Sequence, residues 1–328
     1  MNSFLDRLDE SISLIDIGCS DELQSRWKPI ERKLRYIGFE PNKDECDRIS
    51  KLPNNFKESL FLPYAIAGFT GKANIHITDS FYCTSLLQPD QKWLKRFEFA
   101  DFFRIKSVQE IDVHSLDEIP ELKTIDIDII KIDSQGLELE ILKSAKNNLK
   151  DAICVETESG FHSNYINEST QAEVDLFMRQ NGFLLFGIME RRMPLNNKFK
   201  DYARPNAQVL WCECKWVKDL ISADENGQFN ELGISRSKAL KYLLILAVQG
   251  IYDYGLAYAH IFNKYKLIDD YELQELSDIS NWEFQKEQRE ENRGSPGSKT
   301  SSYLKLLMKK VILKNIHISS KMLSYLSK

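Results

Sequence analysis

Residues 130 to 144, Ile-Lys-Ile-Asp-Ser-Gln-Gly-Leu-Glu-Leu-Glu-Ile-Leu-Lys-Ser, constrain the fold of this chain more than any other stretch. An apolar strand ends at Asp133, turns through Ser134, Gln135 and Gly136, and enters a helix beginning Leu-Glu-Leu-Glu. That order places polar side chains at the carboxyl edge of a sheet, where open α/β folds bind small ligands. The run Leu14-Ile15-Asp16-Ile17-Gly18-Cys19-Ser20 repeats the pattern, and Ile37-Gly38-Phe39-Glu40-Pro41 ends a further strand in an acid. Three strand ends that carry Asp or Glu would repel a phosphate and suit a polar, partly cationic ligand.

The first 218 residues alternate between strand-like and helix-like patterns. Candidate strands are Ser13–Gly18, Leu34–Glu40, Phe61–Ala67, Ile105–His114, Ile127–Asp133 and Ala152–Glu158. Near-continuous apolar runs such as Ile125–Ile132 fit strands buried on both faces of a parallel sheet. Helical periodicity over Asp21–Ile30, Lys43–Lys51, Leu137–Leu149 and Thr170–Gln180 completes a doubly wound α/β fold. Phe183–Glu190 and Gln208–Val217 follow without an intervening helix and are expected to pair antiparallel at one edge. Beyond the Glu225-Asn226-Gly227 turn the pattern becomes helical, with Leu240, Leu243, Leu244, Ala247 and Ile251 at helical spacing. The division expected is a domain over 1–218 and a helical extension over 219–328, with a polar linker near 285–300.

Seven segments carry a resemblance to a known family. They are LIDIGCSDELQSRW (14–27), YIGFEPNKDEC (36–46), YAIAGFTGKA (64–73), CTSLLQP (83–89), DIIKIDSQGLELEILKSA (128–145), ICVETESGFH (153–162) and AEVDLFMRQNGFLLF (172–186). In order and content they resemble the FkbM family of S-adenosylmethionine-dependent methyltransferases, over about the first two thirds of the chain. The resemblance implies a Rossmann-like class I methyltransferase sheet ending in an antiparallel pair, S-adenosylmethionine as cofactor, and a sugar or natural-product hydroxyl as acceptor. The family more often shows Asp-x-Glu-Gly where this chain has Asp133-Ser134-Gln135-Gly136, which weakens any scheme with residue 135 as base or metal ligand.

At the first turn, Asp16, Gly18 and Ser20 are candidate cofactor contacts; the plainer alternative is a structural turn capped by Ser20 or Asp21. The G-x-G-x-x-G pattern of dinucleotide folds is absent, since no further glycine follows Gly18 before Gly38. Glu40, some twenty residues on, stands where a carboxylate accepts ribose hydroxyls. Ala67 and Ser85 fall in segments that the resemblance places near the cofactor, with a structural role equally open. Asp133 and Gln135 are further contacts, and Glu138 is explained as well by the helix dipole as by function. Candidate bases are Asp133, Glu158 and His162, the last because an imidazole near neutral pKa suits a hydroxyl proton.

Composition narrows the rest. A net charge of −5, from 44 basic and 49 acidic residues, argues against a nucleic-acid partner. Six scattered cysteines read as reduced core thiols, and no second pair accompanies Cys212 and Cys214 to complete a metal site. No basic stretch followed by an apolar run opens the chain, and a cytoplasmic protein is expected. Residues 303–328 hold Lys305, Lys309, Lys310, Lys314, Lys321 and Lys328 and no acid. Such a tail could lie on an anionic membrane at the inner face or dock on protein; a homo-oligomer is compatible with these residues but not specified by them. The expected activity is O-methylation of a glycan, glycolipid or related metabolite; the alternative is a non-catalytic cofactor-binding module in a cell-envelope polysaccharide assembly complex.

Overall fold

The computed structural model describes residues 2–20, 23–195 and 207–278. Its strands are β1 (Ile12–Ile17), β2 (Leu34–Phe39), β3 (Glu58–Leu62), β4 (Ala65–Ala67), β5 (Gly71–Thr78), β6 (Ile105–Ser115), β7 (Ile129–Ile132), β8 (Cys154–Gly160), β9 (Phe183–Met193) and β10 (Gln208–Lys218). Its helices are α1 (Asn2–Arg7), α2 (Lys43–Ile49), α3 (Gln91–Leu94), α4 (Glu138–Ser144), α5 (Lys146–Asp151), α6 (Gln171–Gln180), α7 (Ile221–Glu225), α8 (Arg236–Val248) and α9 (Tyr252–Lys264).

Seven strands form one sheet in the order β3-β2-β1-β7-β8-β10-β9. The five from β3 to β8 run parallel, and β10 is antiparallel to both β8 and β9, as the absence of a helix between β9 and β10 led us to expect. Every residue of β1 is buried, because both faces of the sheet are covered. One face packs Ile15, Ile130, Val155 and Trp216 against α4, α5 and α6. The helix α6 starts from a capping box in which Thr170 and Glu173 each satisfy the other's backbone donor.

The second face of the sheet is covered by the helices that follow residue 218. Leu14, Tyr36 and Ile129 of the sheet share a single core with Leu240, Leu243, Leu244, Tyr258 and Phe262 of α8 and α9. All eight residues from Ala239 to Leu246 are buried, and a helix apolar all round needs partners on every side. The helical extension, as far as residue 278, is therefore a layer of the sheet and not an appendage. The polar linker near 285–300 and the basic tail 303–328 lie outside the described residues. Among the described residues no helix is long and apolar enough to cross a membrane.

Several expectations need correction. The strand expected over Phe61–Ala67 is two strands in different sheets, with Pro63 between them removing a ladder donor. The strand β6 pairs with β4 and β5 in a separate three-stranded sheet, and β5 has no counterpart in the sequence reading. Where a helix was expected over Asp21–Ile30, a 3₁₀ segment spans Ser25–Lys33 with Pro29 inside it; residues 21 and 22 lie outside the description. The helix expected over Leu137–Leu149 breaks at Ala145 into α4 and α5. All six cysteines are buried and free, with the Cys212 and Cys214 sulfurs 3.3 Å apart.

Candidate active site

Strand register collects charge on the sheet face that faces the 3₁₀ segment. Asp16, Lys131, Glu156 and Lys215 are successive cross-strand neighbours on β1, β7, β8 and β10. Signs alternate along this row, which keeps a buried charged strip tolerable. Lys131 Nζ lies 2.7 Å from Asp16, and Arg26 donates to Glu156 at 2.6 Å. Burial works against the Lys131 ammonium, yet Asp16 and Asp133 outweigh it and raise its pKa. One pleat nearer the carboxyl edge stand Asp133, Glu158 and Glu213, the last paired with Arg191.

Two of the expected ligand contacts are taken up within the protein. Asp16 accepts from Tyr36 Oη at 2.8 Å as well as from Lys131, so each of its oxygens already holds one donor from the sheet. Gly18 sits at φ +78°, and a Cβ there would lie 2.1 Å from the Asp133 carbonyl oxygen. Its close approach is therefore to the β7 backbone, and it presses the first turn against the second. Ser20 donates its N–H to Gly18 and its carbonyl accepts from Arg48.

Glu40 is differently placed. It is buried, and Oε1 accepts the Asn42 N–H at 2.7 Å, whereas Oε2 has no hydrogen-bond partner among the described residues. Burial pushes its carboxyl up to about 7, against the pull of the Asn42 donor. A half-used carboxylate at a strand end fits a diol, which offers two O–H donors, and this fit supports a ribose there. Glu40→Ala is expected to weaken S-adenosylmethionine binding by about 1.5–3 kcal/mol, the range for hydrogen bonds to a charged acceptor. The ionised form accepts best, so affinity should rise as pH climbs through about 7, and calorimetry across that range checks both effects. An affinity flat in pH and unmoved by the substitution would remove Glu40 from the cofactor site.

The second turn is the most tightly bonded part of the edge. Gln135 Nε2 donates to Asp133 Oδ1 at 2.9 Å and to Glu158 Oε2 at 3.1 Å. Its Oε1 lies 3.0 Å from the Tyr165 hydroxyl, which also reaches the Cys83 carbonyl at 3.0 Å. Ser85 donates its hydroxyl to the Gln135 carbonyl at 2.7 Å and accepts from Leu87, so it secures the turn instead of offering a free hydroxyl. Glu138 accepts from the Ser134 N–H and hydroxyl and from the Gly136 N–H, which answers its two open readings in favour of structure. Burial holds its carboxyl up near 7 despite those donors. For Glu158, burial first, then Asp133 and Glu213, push the carboxyl well above the usual range, while the Gln135 donor pulls it down.

His162 does not join this group. It is exposed and lies on Trp93, ring centroids 4.9 Å apart. Ala67 is buried in β4, its carbonyl accepting from Ser144 of α4, and neighbouring Gly68 packs against Glu140. The small residues there are explained by that packing. Sequence reasoning missed Tyr165, Lys131, Arg26 and Glu168, whose carboxylate accepts the Asn164 and Tyr165 N–H groups. A lysine amid Ile130 and Ile132 was a legible signal, since a charge in a buried strand demands a partner. Tyr165 had none, as its contacts come from residues 30 and 82 positions away. Among the described residues, no group of three or more His, Cys, Asp or Glu side chains is placed to hold a metal ion.

A parallel sheet closed by an antiparallel edge pair is the architecture of class I methyltransferases. Residues 25–185, just under half of the chain, match the family described as the methyltransferase FkbM domain, which identifies an S-adenosylmethionine-dependent methyltransferase. No curated protein matches the chain. Among solved structures it is similar to a candidate tRNA (m1A22) methyltransferase from Streptococcus pneumoniae, at 11% identity over 85% of this chain and 94% of that one, with a TM-score of 0.31. It is also similar to magnesium protoporphyrin IX methyltransferase from Synechocystis, solved with bound S-adenosylmethionine, at 8% identity over 66% and 77% of the two chains and a TM-score of 0.31. A TehB-like methyltransferase from Corynebacterium glutamicum is 10% identical over 66% and 86%, with a TM-score of 0.27.

Proposed function

We propose that the chain methylates a hydroxyl oxygen of a glycan, glycolipid or related metabolite, with Glu158 accepting the hydroxyl proton. The observation that carries this reading is the Asp133–Glu158 pair at the carboxyl edge, one member of which has a proton affinity raised by burial and by its neighbour. A hydroxyl needs a base as its oxygen bonds to carbon, and a carboxylate shifted toward neutrality is matched to that task. S-adenosylmethionine, when bound, supplies an electrophilic methyl group and departs as a neutral thioether. The acceptor O–H bond then breaks toward Glu158, while Asp133 keeps the negative charge that favours proton capture. Glu40 binds the cofactor's ribose, and Lys131 with Asp16 fixes the turn between the two sites.

The aromatic surroundings suit a sugar, whose C–H faces pack on rings. Trp211, one pleat beyond Glu213, meets Phe99 edge-on at 5.9 Å; Phe99 stacks on Phe97, and Phe97 meets Trp93. With the base assigned to the carboxylates, exposed His162 becomes a rim residue. His162→Asn is expected to leave turnover within a few-fold of wild type, in contrast to a catalytic base, whose loss costs about 10²–10⁴-fold.

Calorimetry with S-adenosylmethionine, combined with tritiated methyl transfer to lipid-linked oligosaccharide and small-metabolite extracts, tests the proposal. Label appearing in a base-stable ether is the expected result. Tight cofactor binding with no transfer to any extract would favour the non-catalytic module.

A further inference from the structure

Gln135 holds a backbone conformation that side chains resist, with φ at +58°. The left-handed region crowds the Cβ of an L-residue against its own backbone, and it persists only where surroundings over-determine it. Here they do. The Ser85 hydroxyl holds the Gln135 carbonyl, Glu138 holds the amides on either side, and Tyr165 sits on the side-chain oxygen. The consequence is a side-chain amide aimed between two carboxylates, with one N–H for each. Only this orientation of the amide is consistent, since its oxygen would be repelled by both acids.

We propose that Gln135 is a positioning residue that ties Asp133 and Glu158 into one two-carboxylate unit, giving each an amide proton and so favouring the ionised pair that can receive a proton. The inference rests on the reading of Glu158 as proton acceptor. An acid at 135 could not do the same work: ionised it donates nothing, and protonated it serves only one neighbour. Glu213 from β10 and Glu138 from α4 also act on Glu158, and Glu158 in turn raises the pKa of Cys212 from β10 and of Tyr165 and Cys83 from the loops above. Arg191 of β9 is committed to Glu213. Against Asp133, Glu213 and Glu138, which raise the proton affinity of Glu158, the Gln135 hydrogen bond lowers it.

The test needs no acceptor. Carbon-13 carboxyl titration of the full chain should show the Glu158 midpoint rising by roughly one to two pH units in Gln135→Met, the equivalent of one charged hydrogen bond. Gln135→Glu, which is isosteric and keeps the turn filled if the methionine variant folds poorly, should raise it at least as far. A residue that merely shaped the turn would lower the melting temperature and leave the midpoint in place, and an unmoved midpoint in the folded variant overturns the proposal. The outcome is independent of Glu158→Gln: a moved midpoint with full activity in that variant would sink the proton-acceptor reading and not the positioning one.

Discussion

Glu158→Gln is expected to lower turnover by roughly 10²–10⁴-fold on whichever hydroxyl acceptor the extract screen yields, with S-adenosylmethionine affinity changed little. The substitution keeps the shape of the side chain and its place opposite Glu213 but removes the capacity to bind a proton. It also disturbs the clamp, because an amide facing the Gln135 amide must turn its oxygen toward Nε2 to keep the 3.1 Å contact. That rearrangement is available at modest cost, so the fold should survive. The activity of the wild type should fall on the acid side as Glu158 becomes protonated, at a pH above the ordinary carboxylate range. Asp133→Asn is the companion measurement: removing the adjacent negative charge should move that acid limb downward and reduce turnover less. Activity within tenfold of wild type in Glu158→Gln would end the assignment, and collapse in Asp133→Asn alone would transfer the role to Asp133.

What the sequence disclosed and what it hid divide along a physical line. Strands β1, β2, β7 and β8 were legible because burial on both faces favours near-continuous apolar runs such as Ile129–Ile130 and Ile153–Val155, and the acids at their ends stood out against those runs. The strand β6 was legible, but its partner β5 was obscure, because β5 has a single fully buried residue and mixed polarity along its length. The strand-end carboxylates were visible in the sequence, and their partners were not. Lys131 for Asp16, Gln135 for Glu158 and Tyr165 for Gln135 are pairings set by register and by loop closure, and a linear reading holds neither. His162 drew attention by residue type and proximity in sequence, but Gly160 ends the strand and the chain carries the imidazole out onto Trp93. The same limit applies to the helices after residue 218. A composition shift toward helix was visible, whereas the surface that α8 covers was not.

Asp128→Asn tests that covering layer, and its expected effect is a loss of about 3–5 kcal/mol in stability, the cost of breaking a buried ion pair by removing one partner. Asp128 is fully buried just before β7. Its Oδ2 accepts the Ser13 N–H at 2.9 Å and lies 3.1 Å from Lys241 Nζ, while Oδ1 accepts from Lys238 at 2.6 Å. Both lysines belong to α8, so the carboxylate ties the C-terminal helices to the two central strands. Lys238 keeps some solvent access, but Lys241 is buried with, among the described residues, only the exposed Glu10, at 3.4 Å, as a further counter-charge. Neutralising Asp128 leaves that ammonium without adequate compensation, and urea denaturation should show the midpoint falling with its slope preserved, since the surface exposed on unfolding is the same. Adding Lys241→Met to Asp128→Asn should recover part of the loss, because an apolar side chain needs no counter-charge. A loss below about 1 kcal/mol, typical of a solvent-screened pair, would mean that the helices dock through Leu240, Leu243 and Leu244 alone and that the ion triad adds nothing to the attachment.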